Sequence, residues 1–307
     1  IYQLSSFVDY LAVVFDIAED NYTIKLVLFH SVFNIIGILV VSPLITLIVR
    51  TTTKIFKGKV HSQAHPMYIS DVLVDVPSSA SKALEQELCN LYEKAQKAIL
   101  HAISVHRTDL FASKDVQHTV KKSSTKIDTN IDEIYTKNLK LLYSEIIRFS
   151  SLSQKFMSRE KSHRVYKLKM ASKDIITSVK EVRRLQKNIN NFIASKNEFI
   201  KEEYNSLRVE IANTLNEIRL LSQEDVEELD RSTKIEELKL RLENLDIISN
   251  GRIDSLIRED KINAQMASSL INDSTTAYNI SKQLISIANT LFIQSEELQD
   301  IGEDDEY

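Results

Sequence analysis

Leu26–Val49 reads LVLFHSVFNIIGILVVSPLITLIV, 24 residues without a Lys, Arg, Asp or Glu. As a helix rising about 1.5 Å per residue it reaches roughly 36 Å, more than the roughly 30 Å of a bilayer's hydrocarbon core. The core helix of a soluble protein rarely runs this long without a charge. The stretch therefore predicts a transmembrane helix over about 23–50, and everything after it is read relative to that anchor.

The flanks differ in charge. Asp16, Glu19 and Asp20 precede the run, with Lys25 as the cation; Arg50, Lys54, Lys57 and Lys59 follow it. Cations collect on the cytoplasmic side, so the chain after residue 50 is expected in the cytoplasm. Within the run, His30, Asn34, Gly37 and Val41 recur at spacings of three and four and share one face. Polar and small residues on a membrane helix turn toward other helices, and hydrogen bonding between helices is the plainer role for His30 and Asn34, contact with a transported solute the other. Pro43 removes one backbone donor and predicts a bend. Residues 7–18, FVDYLAVVFDIA, are apolar but too short to span, as for a truncated, re-entrant or interfacial segment. The chain opens on Ile1 rather than Met and is expected to be part of something longer.

Beyond the anchor the composition predicts helices. The whole chain holds four Gly and three Pro, and after Pro77 one glycine, Gly251, precedes Gly302. Turn-rich β folds and Gly-rich phosphate loops need more of both residues. Apolar positions recur every three or four residues in six stretches: Leu84 to Ala102, Ile127 to Phe149, Leu168 to Phe192, Ile200 to Leu221, Ile235 to Ile248 and Ile262 to Leu291. In the last, Asp273 is the one polar interruption. Polar breaks at 108–125, 150–162 and 222–230, and Asn250-Gly251, separate them, too often for a continuous coiled coil. The reading is six helices packed as two successive three-helix bundles.

A net charge of −4 supplies no bulk positive field, so nucleic acid is not an expected partner. The single cysteine, Cys89, excludes an intrachain disulfide and a cysteine-based zinc cluster. No catalytic constellation stands out, and the chain reads as a non-enzyme. His61 and His65 stand four apart in a Pro-flanked linker, a spacing that more often means nothing than a metal site.

Two stretches are similar to a known family. His30-Ser-Val-Phe-Asn-Ile-Ile-Gly37 resembles the last transmembrane helix of bacterial sodium/phosphate cotransporters, and Arg258 to Ser274 resembles the final helical region of the PhoU-like domain fused to them. His65-Pro-Met, Pro77 with Ala83-Leu-Glu-Gln-Glu87, Asn188 and Tyr204-Asn-Ser-Leu-Arg208 match in order between them. The resemblance implies an all-α chain: 1–56 as the end of a transporter domain, 57–80 as linker, 81–298 as a PhoU-like pair of three-helix bundles in the cytoplasm, and 299–307 as an acidic tail. It implies the C-terminal portion of a sodium-dependent phosphate transporter in the bacterial inner membrane. Sodium would be the coupling ion and the helical domain would regulate or sense phosphate uptake. The implied partners are phosphate, the membrane, the other transmembrane helices of the upstream part and a second copy as a homodimer.

The resemblance also names site residues. Of the family's two transport motifs, Gln-Ser-Ser-Ser and a Gly-Asn-x-Gly-Thr-Thr type loop, the resemblance offers Gln3, Ser5 and Ser6 as a remnant of either, and with Asn34 they are the candidate solute or ion ligands. The glycines of the loop are absent. Asp128-Thr-Asn-Ile-Asp132 fits the acidic motif with which PhoU-like domains hold a divalent or trivalent metal, two carboxylates on one helical face; from the residues alone it is a solvated acidic face. In the second bundle Asp246 and Asp254 stand beside Arg252 and Arg258, which would neutralise an acidic site. The rival is a membrane-anchored helical signalling or scaffold protein without transport activity, which would account for one membrane helix and long soluble helices but not for the polar face.

Overall fold

The computed structural model describes residues 2–18, 21–55, 65–223, 228–243 and 251–293, and every regular element among them is helical. The chain divides into two compact units, Ile1–Ser62 and Gln63–Tyr307.

In the first unit α1 (Tyr2–Val14) and α2 (Tyr22–Ile55) pack on each other. Val8 and Ala12 of α1 and Val32 of α2 are the buried contacts, and Asp9 pairs with Lys25 at 3.5 Å. α2 holds one span, Tyr22–Ile45, long and apolar enough to cross a membrane. It starts within a residue of the expected position and runs on as one helix through Pro43. Phe33, Ile35, Ile38 and Leu39 lie exposed along it, as suits a lipid-facing surface. The short apolar segment 7–18 lies in α1 as far as Val14 and in the turn after it, and α1 packs against α2.

Among its described residues the second unit contains ten α-helices: α3 (Pro77–Ala102), α4 (Arg107–Ala112), α5 (Val116–Lys122), α6 (Ile131–Ile134), α7 (Lys140–Ser153), α8 (Arg159–Phe192), α9 (Glu198–Leu221), α10 (Glu228–Glu243), α11 (Arg252–Arg258) and α12 (Ala264–Phe292). Seven of them, α3, α6, α7, α8, α9, α10 and α12, carry the six apolar stretches read from sequence, with a π-helical turn, Tyr135–Leu139, joining α6 to α7. α3, α7 and α8 pack on one another, as do α9, α10 and α12, and α8 lies along α12. One continuous core runs through both groups, from Leu84 and Leu88 through Val179 and Val182 to Ile280 and Leu284.

Side chains placed in the polar breaks start these helices. Ser158 accepts the Lys161 amide of α8, Asn197 those of Phe199 and Ile200 in α9, and Asn263 that of Met266 in α12. Each satisfies a donor that the first helical turn leaves open. Asn197 also donates to the Lys261 carbonyl at 2.7 Å, tying the start of α9 to the link before α12.

Three helices end alike without glycine. At Asp16, Ser104 and Asp260 φ is +55°, +57° and +52°. After each, the next residue's amide reaches back five positions, as Val105 to Leu100 and Lys261 to Leu256, both at 2.9 Å. This is the left-handed helix stop that glycine usually serves. Asp and Ser tolerate it at a cost of about 1 kcal/mol, which lets a chain this poor in glycine terminate its helices.

The break at 108–125 is partly helical, since α4 and α5 lie in it. The expected linker 57–80 differs more. Residues 65–76 pack on α3, with Ile69 buried and a 3-10 turn at Asp71–Leu73. The fully buried Glu87 explains this. Its Oε2 accepts the Met67 and Tyr68 amides, both at 2.7 Å, and its Oε1 accepts from Asn90 Nδ2 at 2.7 Å. A carboxylate can be buried only with such partners, and here the partners are the segment's own backbone.

Candidate functional site

On α2, successive residues turn by about 100°. Lys25, Leu28, Phe29 and Val32 share the side covered by α1. His30, Asn34 and Val41 lie on the opposite side and are exposed, and a Cβ built on Gly37 would meet nothing within 4 Å. Ser6 stands two positions from Val8 on α1, so it too faces away from the helix pair and is exposed. The two described candidates, Ser6 and Asn34, are not brought together. For Gln3 and Ser5 only the backbone, in the first turns of α1, is described.

The acidic pair needs a correction. Asp128 and Asp132 were expected on one helical face, but α6 begins at Ile131. Asn130 caps it, accepting the Glu133 amide at 3.1 Å, so Asp128 precedes the helix and the i, i+4 relation does not exist. Asp132 is 68% exposed and pairs with Arg183 at 2.6 Å. Among the described residues no group of three or more His, Cys, Asp or Glu could hold a metal ion. Asp246, His61 and the acidic tail 299–307 lie outside the described residues.

The polar chemistry of the second unit is internal. Asp273 is buried on α12. Its Oδ2 accepts from Tyr204 Oη at 2.6 Å and from Asn188 Nδ2 at 2.9 Å, joining α8, α9 and α12. Burial holds its carboxyl above the usual range, against the two hydrogen bonds that lower it. The Tyr204 hydroxyl is pushed up, chiefly by burial and further by Asp273. Its ring stacks on Phe192 at 4.5 Å between centroids.

Arg208 is the second centre. Fully buried, it donates from Nε to the Ile103 carbonyl (2.7 Å), from Nη2 to the Ser104 (3.1 Å) and Ser123 (2.5 Å) carbonyls, and from Nη1 to Asn205 Oδ1 (2.8 Å). Ile103 and Ser104 are the last residues of the α3 helix stop, and Ser123 caps α5. The partial negative charge at these two helix ends holds the cation in the place of a carboxylate. Burial pushes its pKa down to about 10, so it stays charged at neutral pH. With its donors engaged by the protein itself, Arg208 is a clasp rather than an anion site.

A cleft of about 780 Å³ opens between α5, α9, α10 and α12. Its bases are matched by carboxylates: Lys121 with Glu202 at 2.6 Å, Arg252 with Glu203 at 3.0 Å, and Arg241 with Glu217. Glu210 in its wall is pushed up, mainly by burial. A cleft so neutralised does not concentrate phosphate.

No family model matches this chain, and neither does any curated protein or solved structure. Sequence reading singled out Asp273 as an anomaly in an apolar stripe. It missed the burial of Arg208 and Glu87, although each stands three and four positions from apolar residues of its stripe, Glu87 between Leu84 and Leu91 and Arg208 between Tyr204 and Ile211.

Proposed function

We propose that this chain is the C-terminal portion of a sodium-dependent phosphate transporter whose PhoU-like helical domain, a pair of three-helix bundles, regulates or senses phosphate uptake at the cytoplasmic side of a bacterial inner membrane. One observation carries the reading. The separate segments on which the family resemblance rests meet one another through buried polar groups. Met67 meets Glu87, and Asn188 and Tyr204 meet Asp273. Such side chains cost free energy to bury unless each finds its partner, so their joint presence is a constraint on the fold, not a pattern of composition. The packing of α3, α7 and α8, and of α9, α10 and α12, supports the bundle pair, and the exposed His30 and Asn34 of α2 suit a helix that meets others in a membrane.

The test is uptake of labelled phosphate by vesicles carrying the protein this chain belongs to. Uptake is expected to require a sodium gradient. Equal uptake with potassium in its place would refute the coupling. Sodium-driven uptake left unchanged, at every external phosphate concentration, by a disrupted helical unit (Tyr204→Ala with Asp273→Ala) would refute the regulatory role. For the metal, metal analysis of the purified chain with and without Asp128→Ala and Asp132→Ala decides; equal content removes the site.

A further inference from the structure

The second unit has one end where several elements converge. Arg148, near the end of α7, pairs with Asp71 of the 65–76 segment at 2.8 Å. Arg164, near the start of α8, pairs with Glu85 of α3 at 3.0 Å and donates to the Thr290 carbonyl near the end of α12. The end of α7, the starts of α3 and α8, and the end of α12 are therefore together. The 65–76 segment, which precedes α3 in the chain, reaches the same end.

This end differs from the rest of the surface. Residues 154–169, the α7–α8 turn and the first turns of α8, hold six Lys or Arg and one acid, Glu160, although the whole chain is net negative. Phe156 and Tyr166 lie among them, 53% and 52% exposed. Arg159 and Tyr166 border the same shallow hollow. Arg164 is used internally, whereas Lys155, Arg159 and Lys161 enter no ion pair among the described residues. Met67 and Val72 of the 65–76 segment are exposed as well. Cations set beside exposed aromatic rings suit an anionic bilayer surface, where the cations meet headgroups and the rings enter the interface. An acidic peptide would use the cations but leave the rings in water.

We propose that this turn, through Lys155, Phe156, Arg159, Lys161 and Tyr166, docks on an anionic lipid surface. The inference rests on the membrane reading of α2, and the test separates the two. The chain contains no tryptophan, so Phe156→Trp and, separately, Phe33→Trp each give a single reporter in the full chain reconstituted into vesicles. The vesicles are phosphatidylcholine alone, or phosphatidylcholine with phosphatidylglycerol, each with brominated acyl chains as quencher. The Phe33→Trp variant monitors the span and is expected to be quenched in both. The Phe156→Trp reporter is expected to be blue-shifted and quenched in the anionic vesicles only, with the effect lost in about 1 M salt, where charges are screened beyond about 3 Å. Each cation near an anionic surface is worth roughly fivefold in binding, so adding K155Q, R159Q and K161Q is expected to shift the docking equilibrium by on the order of 100-fold and abolish the quenching. No quenching of the Phe156→Trp reporter in anionic vesicles, or equal quenching in neutral ones, overturns the proposal. So does a blue shift produced by soluble polyglutamate without vesicles, which would assign the surface to an acidic partner. An unquenched Phe33→Trp reporter refutes the span, and with it the reading on which the inference rests, and is told apart from failed docking, in which Phe33→Trp is quenched and Phe156→Trp is not.

Discussion

Replacing Arg208 by Met keeps the unbranched apolar stem of the side chain and removes its donors. Three of the acceptors it serves, the Ile103 and Ser104 carbonyls and Asn205 Oδ1, are then buried without a partner, while Ser123 sits nearer the surface where water can reach. Each buried orphan costs about 1–3 kcal/mol, giving roughly 3–9 kcal/mol for the three. Against this stands the relief of no longer burying a cation that lacks a carboxylate, a few kcal/mol. The expected net loss is about 3 kcal/mol. For a unit of this size that lowers the thermal midpoint by roughly 6–12 °C, measured by far-UV circular dichroism of the chain in mild detergent. Arg208→Lys sharpens the test. A lysine keeps the charge but cannot fork across three carbonyls from two helix ends, so it is expected to lose at least about 2 kcal/mol. If Met costs under about 1 kcal/mol, or Lys restores full stability, the clasp reading is wrong.

Other expectations follow from the same contacts. Glu87→Gln turns charged hydrogen bonds into neutral ones and is expected to cost about 2 kcal/mol, seen first as faster hydrogen exchange at the Met67 and Tyr68 amides. Asp273→Asn keeps an acceptor for Tyr204 and Asn188 without a buried charge. Because burial raises the folded pKa of Asp273, its protonation favours the folded state fully below about pH 3.9, the unfolded value, and that contribution is lost as pH rises through the folded pKa. The Asn variant is therefore expected to match or exceed the parent at pH 7 and to lose that advantage in acid, as urea titrations at the two pH values will show. Asp273→Ala is expected to destabilise at both. Asp260→Gly relieves a left-handed residue on an exposed turn, and melting should show a gain of up to about 1 kcal/mol. Asp132→Ala breaks an exposed pair, and a stability change above about 1 kcal/mol would show that the pair does more than its exposure allows.

Helix content and position were legible because burial imposes a three/four spacing on any helix that lies on a core. Each of the six apolar stretches carries helix among its described residues, the second of them as α6 and α7 in succession. Helix ends were less legible. The usual sign of a C-terminus is glycine, and here Asp16, Ser104 and Asp260 take its place. The expected bend at Pro43 is not needed for the helix to continue. The acidic pair misled for a definite reason: i, i+4 spacing has meaning only inside a helix, and Asn130 starts the helix between the two carboxylates. The buried polar centres divide in the same way. Asp273 was visible because it interrupts a stripe. Glu87 and Arg208 also stand in line with a stripe, but their partners are backbone groups about 20 and about 100 residues away in sequence, and no side-chain pattern encodes a carbonyl.

The Arg208 clasp also bears on the order in which the chain is made. The carbonyls at Ile103, Ser104 and Ser123 emerge from a ribosome long before residue 208 does. Until α9 is synthesised, the 103–123 segment has helices to form but nothing to fasten them to. α8 likewise completes its burial only when α12 arrives, some seventy residues after α8 itself ends. The first helices must therefore wait, partly assembled and with apolar faces uncovered, until the later ones follow. A chain cut short before α12 would present those faces to chaperones and proteases, so α12 acts as a checkpoint on whether the whole helical unit was made.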